Sequence, residues 1–205
     1  MLTIHHLRIG RSIFTVWLLE ELELDYELKE YLRNSETMRA PPELKEIHPL
    51  GKSPVIDDDG LVLSESGAIT SYLLEKHDQQ HKLSPPPGDL RAWAEYIQWL
   101  HYPEGSVFTP LLLKMLALRS GEPQPLLDGF ADPEIAAHFT HITNKLGDKK
   151  FILGDSFSGA DFGITYMINM AAMLGQLEPY PQLAAYLQRN QARPAYLRAV
   201  ERAVE

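Results

Sequence analysis

His48-Pro49-Leu50-Gly51-Lys52-Ser53-Pro54-Val55-Ile56 and, one hairpin later, Ser64-Glu65-Ser66-Gly67-Ala68-Ile69 join a strand entered through proline to a helix entered through hydroxyl and carboxylate side chains. Proline is tolerated at the first residue of a strand, where its missing N–H costs little. An X–Pro bond adopts the cis form at modest cost, and a cis bond at Ser53–Pro54 turns the preceding backbone outward. The N–H and C=O of Ser53 then present an edge that pairs with a peptide-like ligand in strand fashion. The alternative is a plain surface turn before a strand. Glu65 and Ser66 fall at a helix start, where unbonded N–H groups and partial positive charge favour a carboxylate. The Ser66 hydroxyl adds a donor there, and Glu65 suits an ammonium group. The alternative is helix capping by Ser64 or Ser66.

Working outward, residues 2–7 are short, apolar and strand-like. Ser12 precedes Ile13, Val16, Leu19 and Leu22, which recur at helical spacing, and Ser12 is a candidate cap for that helix. Residues 26–32 alternate in part, with Tyr26, Leu28 and Leu32 on one face of a second strand. A helix starts near Pro41-Pro42, and strands 54–57 and 61–63 flank the turn Asp58-Asp59-Gly60. Helical spacing returns over 64–77. Residues 1–80 therefore read as βαβαββα. Residues 81–89 carry Pro85-Pro86-Pro87-Gly88 and form a stiff linker. Residues 90–205 read as an all-helical domain. Its segments are 90–118, bent near Pro103 or Pro110, then 134–146, 160–174 and 181–205. Ser158 and Asp161 have capping-box spacing ahead of the third of these, and Phe157 is placed to staple the first turn.

Composition narrows the chemistry. Among 205 residues, Lys and Arg number 19 against 28 Asp and Glu, a net charge of −9. Such a chain repels nucleic-acid phosphates and anionic membrane surfaces, so an anionic ligand needs a local basic cluster. The absence of cysteine removes disulfides, thiolate metal sites and a cysteine nucleophile. No stretch approaches the roughly 20 apolar residues of a membrane span. The first ten residues lack the apolar run of a signal peptide, so a cytoplasmic location is expected. The eight histidines show no metal-ligand spacing.

Gly51-Lys52-Ser53-Pro54-Val55 and Glu65-Ser66-Gly67-Ala68-Ile69, at this spacing and order, resemble the glutathione-binding motif of cytosolic glutathione transferases. The likeness is greatest to bacterial and fungal members that share His5-His6-Leu7 and the run Trp17-Leu18-Leu19-Glu20-Glu21-Leu22. It extends over nearly the whole chain and implies a thioredoxin-like domain followed by a helical bundle. It further implies that Ser53, with Pro54 cis, pairs with the cysteinyl part of glutathione. Glu65 and Ser66 bind the γ-glutamyl end, and Lys52 the glycine carboxylate. Glutathione is then the cosubstrate, no metal or prosthetic group is required, and a homodimer is expected.

The thiolate-stabilising group belongs in loop 7–12. Many relatives carry Tyr, Ser or Cys there, and similar sequences often have serine where Gly10 stands. Ser12 is the one hydroxyl in the loop, read either as a donor to sulfur or as a cap. Arg11 is an electrostatic stabiliser or a solvated charge, and the N–H groups of residues 10–12 are further donors. In the helical domain Tyr102 is expected to line the electrophile pocket and Glu104 to reach glutathione across a dimer interface. Residues 111–115 and 167–173 supply apolar and methionine side chains for that pocket, or core. The expected activity is conjugation to small apolar electrophiles, with peroxide reduction beside it. The alternatives are a non-catalytic glutathione carrier and a purely interacting module.

Overall fold

The computed structural model describes residues 1–203. The chain divides into two compact units: Met1–Gln80 together with the segment from Gln191, and His81–Asn190.

The first unit has the order β1 (Leu2–Leu7), α1 (Ser12–Glu21), β2 (Glu27–Tyr31), α2 (Leu44–Ile47), β3 (Val55–Asp58), β4 (Leu61–Ser64) and α3 (Ser66–His77), and it ends in α9 (Pro194–Arg202). The sheet order is β2-β1-β3-β4, with β1 parallel to β2 and antiparallel to β3, and β3 antiparallel to β4. The hairpin turn uses positive φ at Asp59 and Gly60, the requirement of the tight turn that the sequence signals. Every residue of β1 is buried, as is α1 from Ser12 to Leu19. A helix buried all round packs against elements on more than one side, and α1 lies against β1, α3 and α9. Ile4, Val16, Leu19, Val55, Ile56, Ile69 and Leu73 are fully buried and form the core.

The second unit holds α4 (Leu90–Tyr102), α5 (Phe108–Arg119), α6 (Pro125–Leu146), α7 (Gly159–Met173) and α8 (Pro181–Gln191), with a π-helical turn over Pro103–Val107. The expected bend thus falls at Pro103, whose missing N–H cannot continue the α ladder. A Cβ on Gly163 of α7 would stand 2.9 Å from the Pro103 ring, so glycine there permits the close approach of α7 to the bend. The segment expected as helix 134–146 begins earlier, at Pro125, because proline is well suited to a first helical turn.

Three further expectations are revised. Leu32 lies beyond β2 and is 62% exposed, so it does not share the buried face of Tyr26. The helix start near Pro41-Pro42 gives only the single turn α2. The expected helix 181–205 is broken before Pro194, and its second half belongs to the first unit and not to an all-helical domain 90–205. Val204 and Glu205, the last residues of that span, lie outside the described residues.

Side chains of α9 and of Arg193 just before it explain this return to the first unit. Arg193 donates to both carboxylate oxygens of Glu21, at 2.6 and 2.8 Å. Arg198 donates to the Glu20 carboxylate and to its carbonyl, and Arg202 to the Tyr26 carbonyl. Tyr196 meets the edge of Trp17.

Burial raises the pKa of Glu20, but hydrogen bonds from Tyr26 and Arg198 and the charges of Arg198 and Arg202 outweigh it, so the carboxyl titrates below the ordinary glutamate range. As pH falls the unfolded chain therefore takes up the proton first. This contribution is complete above about pH 4.3 and fades as pH drops through the lower folded value. Glu20→Gln should be less stable than wild type at neutral pH, with the gap closing in acid unfolding below about pH 4. A gap that stays constant with pH would show that the charge on Glu20 contributes nothing.

Candidate functional site

The pairing of β3 with β4 sets Val55 opposite Ser64, which brings Ser53–Pro54 beside Glu65 at the start of α3. The pairing of β3 with β1 sets Val55 opposite His5, so Ser53 reaches the end of β1. There the Ser53 hydroxyl donates to the His5 carbonyl at 2.7 Å and accepts from the Leu7 N–H at 3.2 Å. The Ser53–Pro54 peptide bond is cis. A hydrogen bond of 3.2 Å between Ser64 Oγ and His48 Nε2 ties the preceding loop to the same end of the sheet. Gly51 adopts φ +56°, and a Cβ there would meet Lys45 at 2.8 Å, so the turn into Lys52 requires glycine. Lys52 and Glu65 are exposed, whereas Ser66 is buried.

Glu65 precedes α3 with φ 71° and ψ 113°, an uncommon backbone conformation for a residue with a side chain. No side chain caps this helix start. The reading of Ser64 or Ser66 as a plain cap therefore gains no support. One end of the sheet thus gathers a lysine, a backbone edge at Ser53, a carboxylate and a helix N-terminus, a set suited to a zwitterionic, peptide-like anion.

Loop 8–11 borders this end, directly after β1. Ser12 departs from both of its readings. It is fully buried, and Arg11, not Ser12, is the residue that precedes α1, with no side-chain cap. Its hydroxyl accepts from the Leu7 N–H at 3.2 Å and lies 2.9 Å from His6 Nδ1 and 3.3 Å from the Leu7 carbonyl. A hydroxyl has one proton and two lone pairs, so these partners saturate it. The expectation of Ser12 as a catalytic donor is corrected accordingly. Arg11 is half-buried at the start of α1. Arg8 makes an ion pair with Glu30 at 2.6 Å. Arg33 donates to the carbonyls of Arg8 and Ile9 and, across loop 34–39, to that of Met38.

In the helical unit, the Tyr102 hydroxyl lies 2.6 Å from His138 Nδ1 on α6, and burial pushes its pKa up to about 12. Trp99 is buried, stacks on His141 and meets Tyr102 edge-on. Glu104 is half-buried within the π-helical turn. Met167 and Met170 are core residues of α7, while Met173 is 71% exposed. Among the described residues no group of three or more His, Cys, Asp or Glu side chains is arranged to hold a metal ion, and no helix is long and apolar enough to cross a membrane.

Residues 2–75 match the family model described as glutathione S-transferase, N-terminal domain, and residues 124–189 the one described as glutathione S-transferase, C-terminal domain. Glutathione S-transferase 3 of Schizosaccharomyces pombe is 30% identical over 98% of this chain and 88% of its own length. The chain belongs to the glutathione S-transferase family. It is accordingly a transferase enzyme with a thioredoxin-like unit and a helical unit. A glutathione S-transferase from Actinobacillus pleuropneumoniae has a crystal structure that superposes with TM-score 0.89 at 35% identity, covering 99% of this chain and 93% of that one. A glutathione transferase homolog from Lodderomyces elongisporus, solved with two GSH per subunit, shares the fold with TM-score 0.82 at 22% identity, over 98% of this chain and 97% of that one.

Two groups in this transferase have no signal in the sequence. Arg33 is one arginine in a polar stretch, and only the end of the parallel β1–β2 pair places it against loop 8–11. His138 and His141 lie on a helix far along the chain from Tyr102, and a pair at that separation leaves no periodic mark.

Proposed function

We propose that this transferase binds glutathione at the β3–α3 end of its first unit and directs the thiolate at small apolar electrophiles. Lys52 takes the glycine carboxylate, Ser53 pairs with the cysteinyl backbone, and Glu65 and Ser66 hold the γ-glutamyl end. The observation that carries this reading is the strand register that sets the cis Ser53–Pro54 bond beside Glu65 and the end of β1. Arg11 and the N–H groups of loop 8–11 supply the positive potential that lowers the thiol pKa, with Ser12 set aside. In conjugation the sulfur lone pair forms a new S–C bond while the leaving group departs with its electron pair. With an organic hydroperoxide, two glutathiones are oxidised to the disulfide and the peroxide is reduced to alcohol and water. Tyr102 and Glu104 are assigned to the electrophile side of the same reaction. A cytoplasmic homodimer belongs to this reading, and sedimentation of the purified protein measures its assembly.

One observation favours a second reading, a glutathione carrier. Loop 8–11 has no hydroxyl or thiol side chain, and that of Ser12 is buried. Ultraviolet difference titration of glutathione across pH separates the two. A bound-thiol pKa well below that of free glutathione supports the enzyme, and binding without depression supports the carrier. Ser66→Ala and Lys52→Ala are each expected to weaken glutathione binding by about 1–3 kcal/mol, measured by calorimetry. Unchanged affinity in both folded variants would overturn the site assignment.

A further inference from the structure

Ile9, a β-branched residue, is held at φ 55° on an exposed loop, a conformation that persists only where its surroundings impose it. The imposing group is Arg33. Its Nε donates to the Arg8 carbonyl at 3.0 Å and to the Ile9 carbonyl at 3.1 Å, and its Nη2 reaches the Ile9 carbonyl at 2.8 Å. The third nitrogen, Nη1, donates to the Met38 carbonyl at 3.0 Å, which anchors the guanidinium from behind. All three nitrogens of a rigid fork are therefore engaged by backbone carbonyls, a task that lysine's single ammonium cannot reproduce.

In a trans peptide the C=O of one residue points opposite to the N–H of the next. Carbonyls of Arg8 and Ile9 turned toward Arg33 thus turn the N–H groups of Ile9 and Gly10 the other way. Arg33 lies beyond the end of β2, whereas Ser53 precedes β3, and the order β2-β1-β3-β4 puts them on opposite sides of β1. We propose that Arg33 is a positioning residue for the thiolate: its guanidinium sets the 8–10 backbone so that the N–H groups of Ile9 and Gly10 face the side of β1 where Ser53 lies. This rests on the glutathione reading of the Ser53 edge. Gly10 is compatible with this arrangement, because a Cβ at that position would stand 2.9 Å from the Leu7 carbonyl oxygen and 3.2 Å from Arg33 Nη2. A side chain at position 10 would meet the Leu7 carbonyl first, and the Arg33 guanidinium would have to give by a few tenths of an ångström.

Arg33→Lys and Arg33→Ala test the proposal in two steps. Without ligand, amide order parameters of Ile9 and Gly10 are expected to fall from about 0.85, typical of rigid backbone, to below about 0.6. Values unchanged from wild type in both variants overturn the positioning role, whatever the ligand does. With ligand, affinity for S-methylglutathione, which has no thiol, is expected to be kept, while the pKa of bound glutathione rises by about one unit, a tenfold change in the thiolate equilibrium. An unchanged thiol pKa in folded variants overturns the link to the thiolate. Wild-type protein that binds no S-methylglutathione refutes the glutathione reading and with it the thiolate half, while the order parameters still decide whether Arg33 sets the loop.

Discussion

Replacing Asp161 by alanine is expected to destabilise the helical unit by about 4 kcal/mol, a large share of the roughly 5–15 kcal/mol that holds a typical protein folded. Asp161 is fully buried in the first turn of α7, where its two oxygens serve four donors. The N–H groups of Ile152 and Ser158 donate at 2.9 Å, the Ser158 hydroxyl at 2.9 Å and the Tyr186 hydroxyl at 2.6 Å. Hydroxyls can rotate to new partners, but the two backbone donors cannot. Each orphaned N–H costs about 1–3 kcal/mol, so the two together account for about 4 kcal/mol. Urea unfolding measures the effect, and a loss under about 1 kcal/mol would mean that water replaces the carboxylate. Asp161→Asn should fall between, since an amide retains one acceptor oxygen but faces at least one donor with its NH2. The capping box and the edge contact of Phe157 with Phe162 complete the device that Ser158, Asp161 and Phe157 signal in the sequence. It starts α7, whose buried residues run from Gly159 to Ala171.

That device is legible because a cap is local: Phe157, Ser158 and Asp161 stand within one helical turn of each other in the sequence. The strands and the Asp59-Gly60 turn are legible for the same reason. Ser53, Glu65 and Ser66 sit close along the chain and are joined by a short hairpin, so their proximity follows once the hairpin is granted. Ser12 is misread from sequence because a hydroxyl near a helix start carries no sign of its depth. In the fold the residue is fully buried at the start of α1, and the partners of its hydroxyl come from His6 and Leu7 at the end of β1. Arg33 is silent for a different reason. Its role lies in which carbonyls it reaches, and strand order decides that, not spacing. The placement of α9 is the extreme case, since Arg193 and its partner Glu21 are 172 residues apart.

Glu21→Ala carries the second large expectation, a loss of about 2–3 kcal/mol from the first unit. Exposed ion pairs contribute little, usually under about 1 kcal/mol, so the size needs a reason. Two features supply it. The Glu21 side chain is only 11% exposed and that of Arg193 28%, so water screens the pair weakly. The pair is also bidentate, and Oε1 of Glu21 accepts a third bond from the indole Nε1 of Trp17 at 3.0 Å. Alanine thus deprives a guanidinium and a buried tryptophan of one shared acceptor. Glu21→Gln, which keeps the oxygen and loses the charge, should cost about half as much. In a double-mutant cycle, Glu21→Ala and Arg193→Ala should couple by about 1–2 kcal/mol. Additive losses would show that the two side chains stabilise the unit separately. Trp17 fluorescence in Arg193→Ala, which leaves the Trp17–Glu21 bond in place, provides the readout, because the ring packs against Tyr196 of α9 and reports whether that helix stays docked. A spectrum unchanged by Arg193→Ala, together with unchanged stability, would mean that α9 is held by Glu20, Tyr26 and apolar packing alone. A shifted spectrum with the expected loss would place the last helix among the elements that fix α1, and through α1 the loop that precedes it.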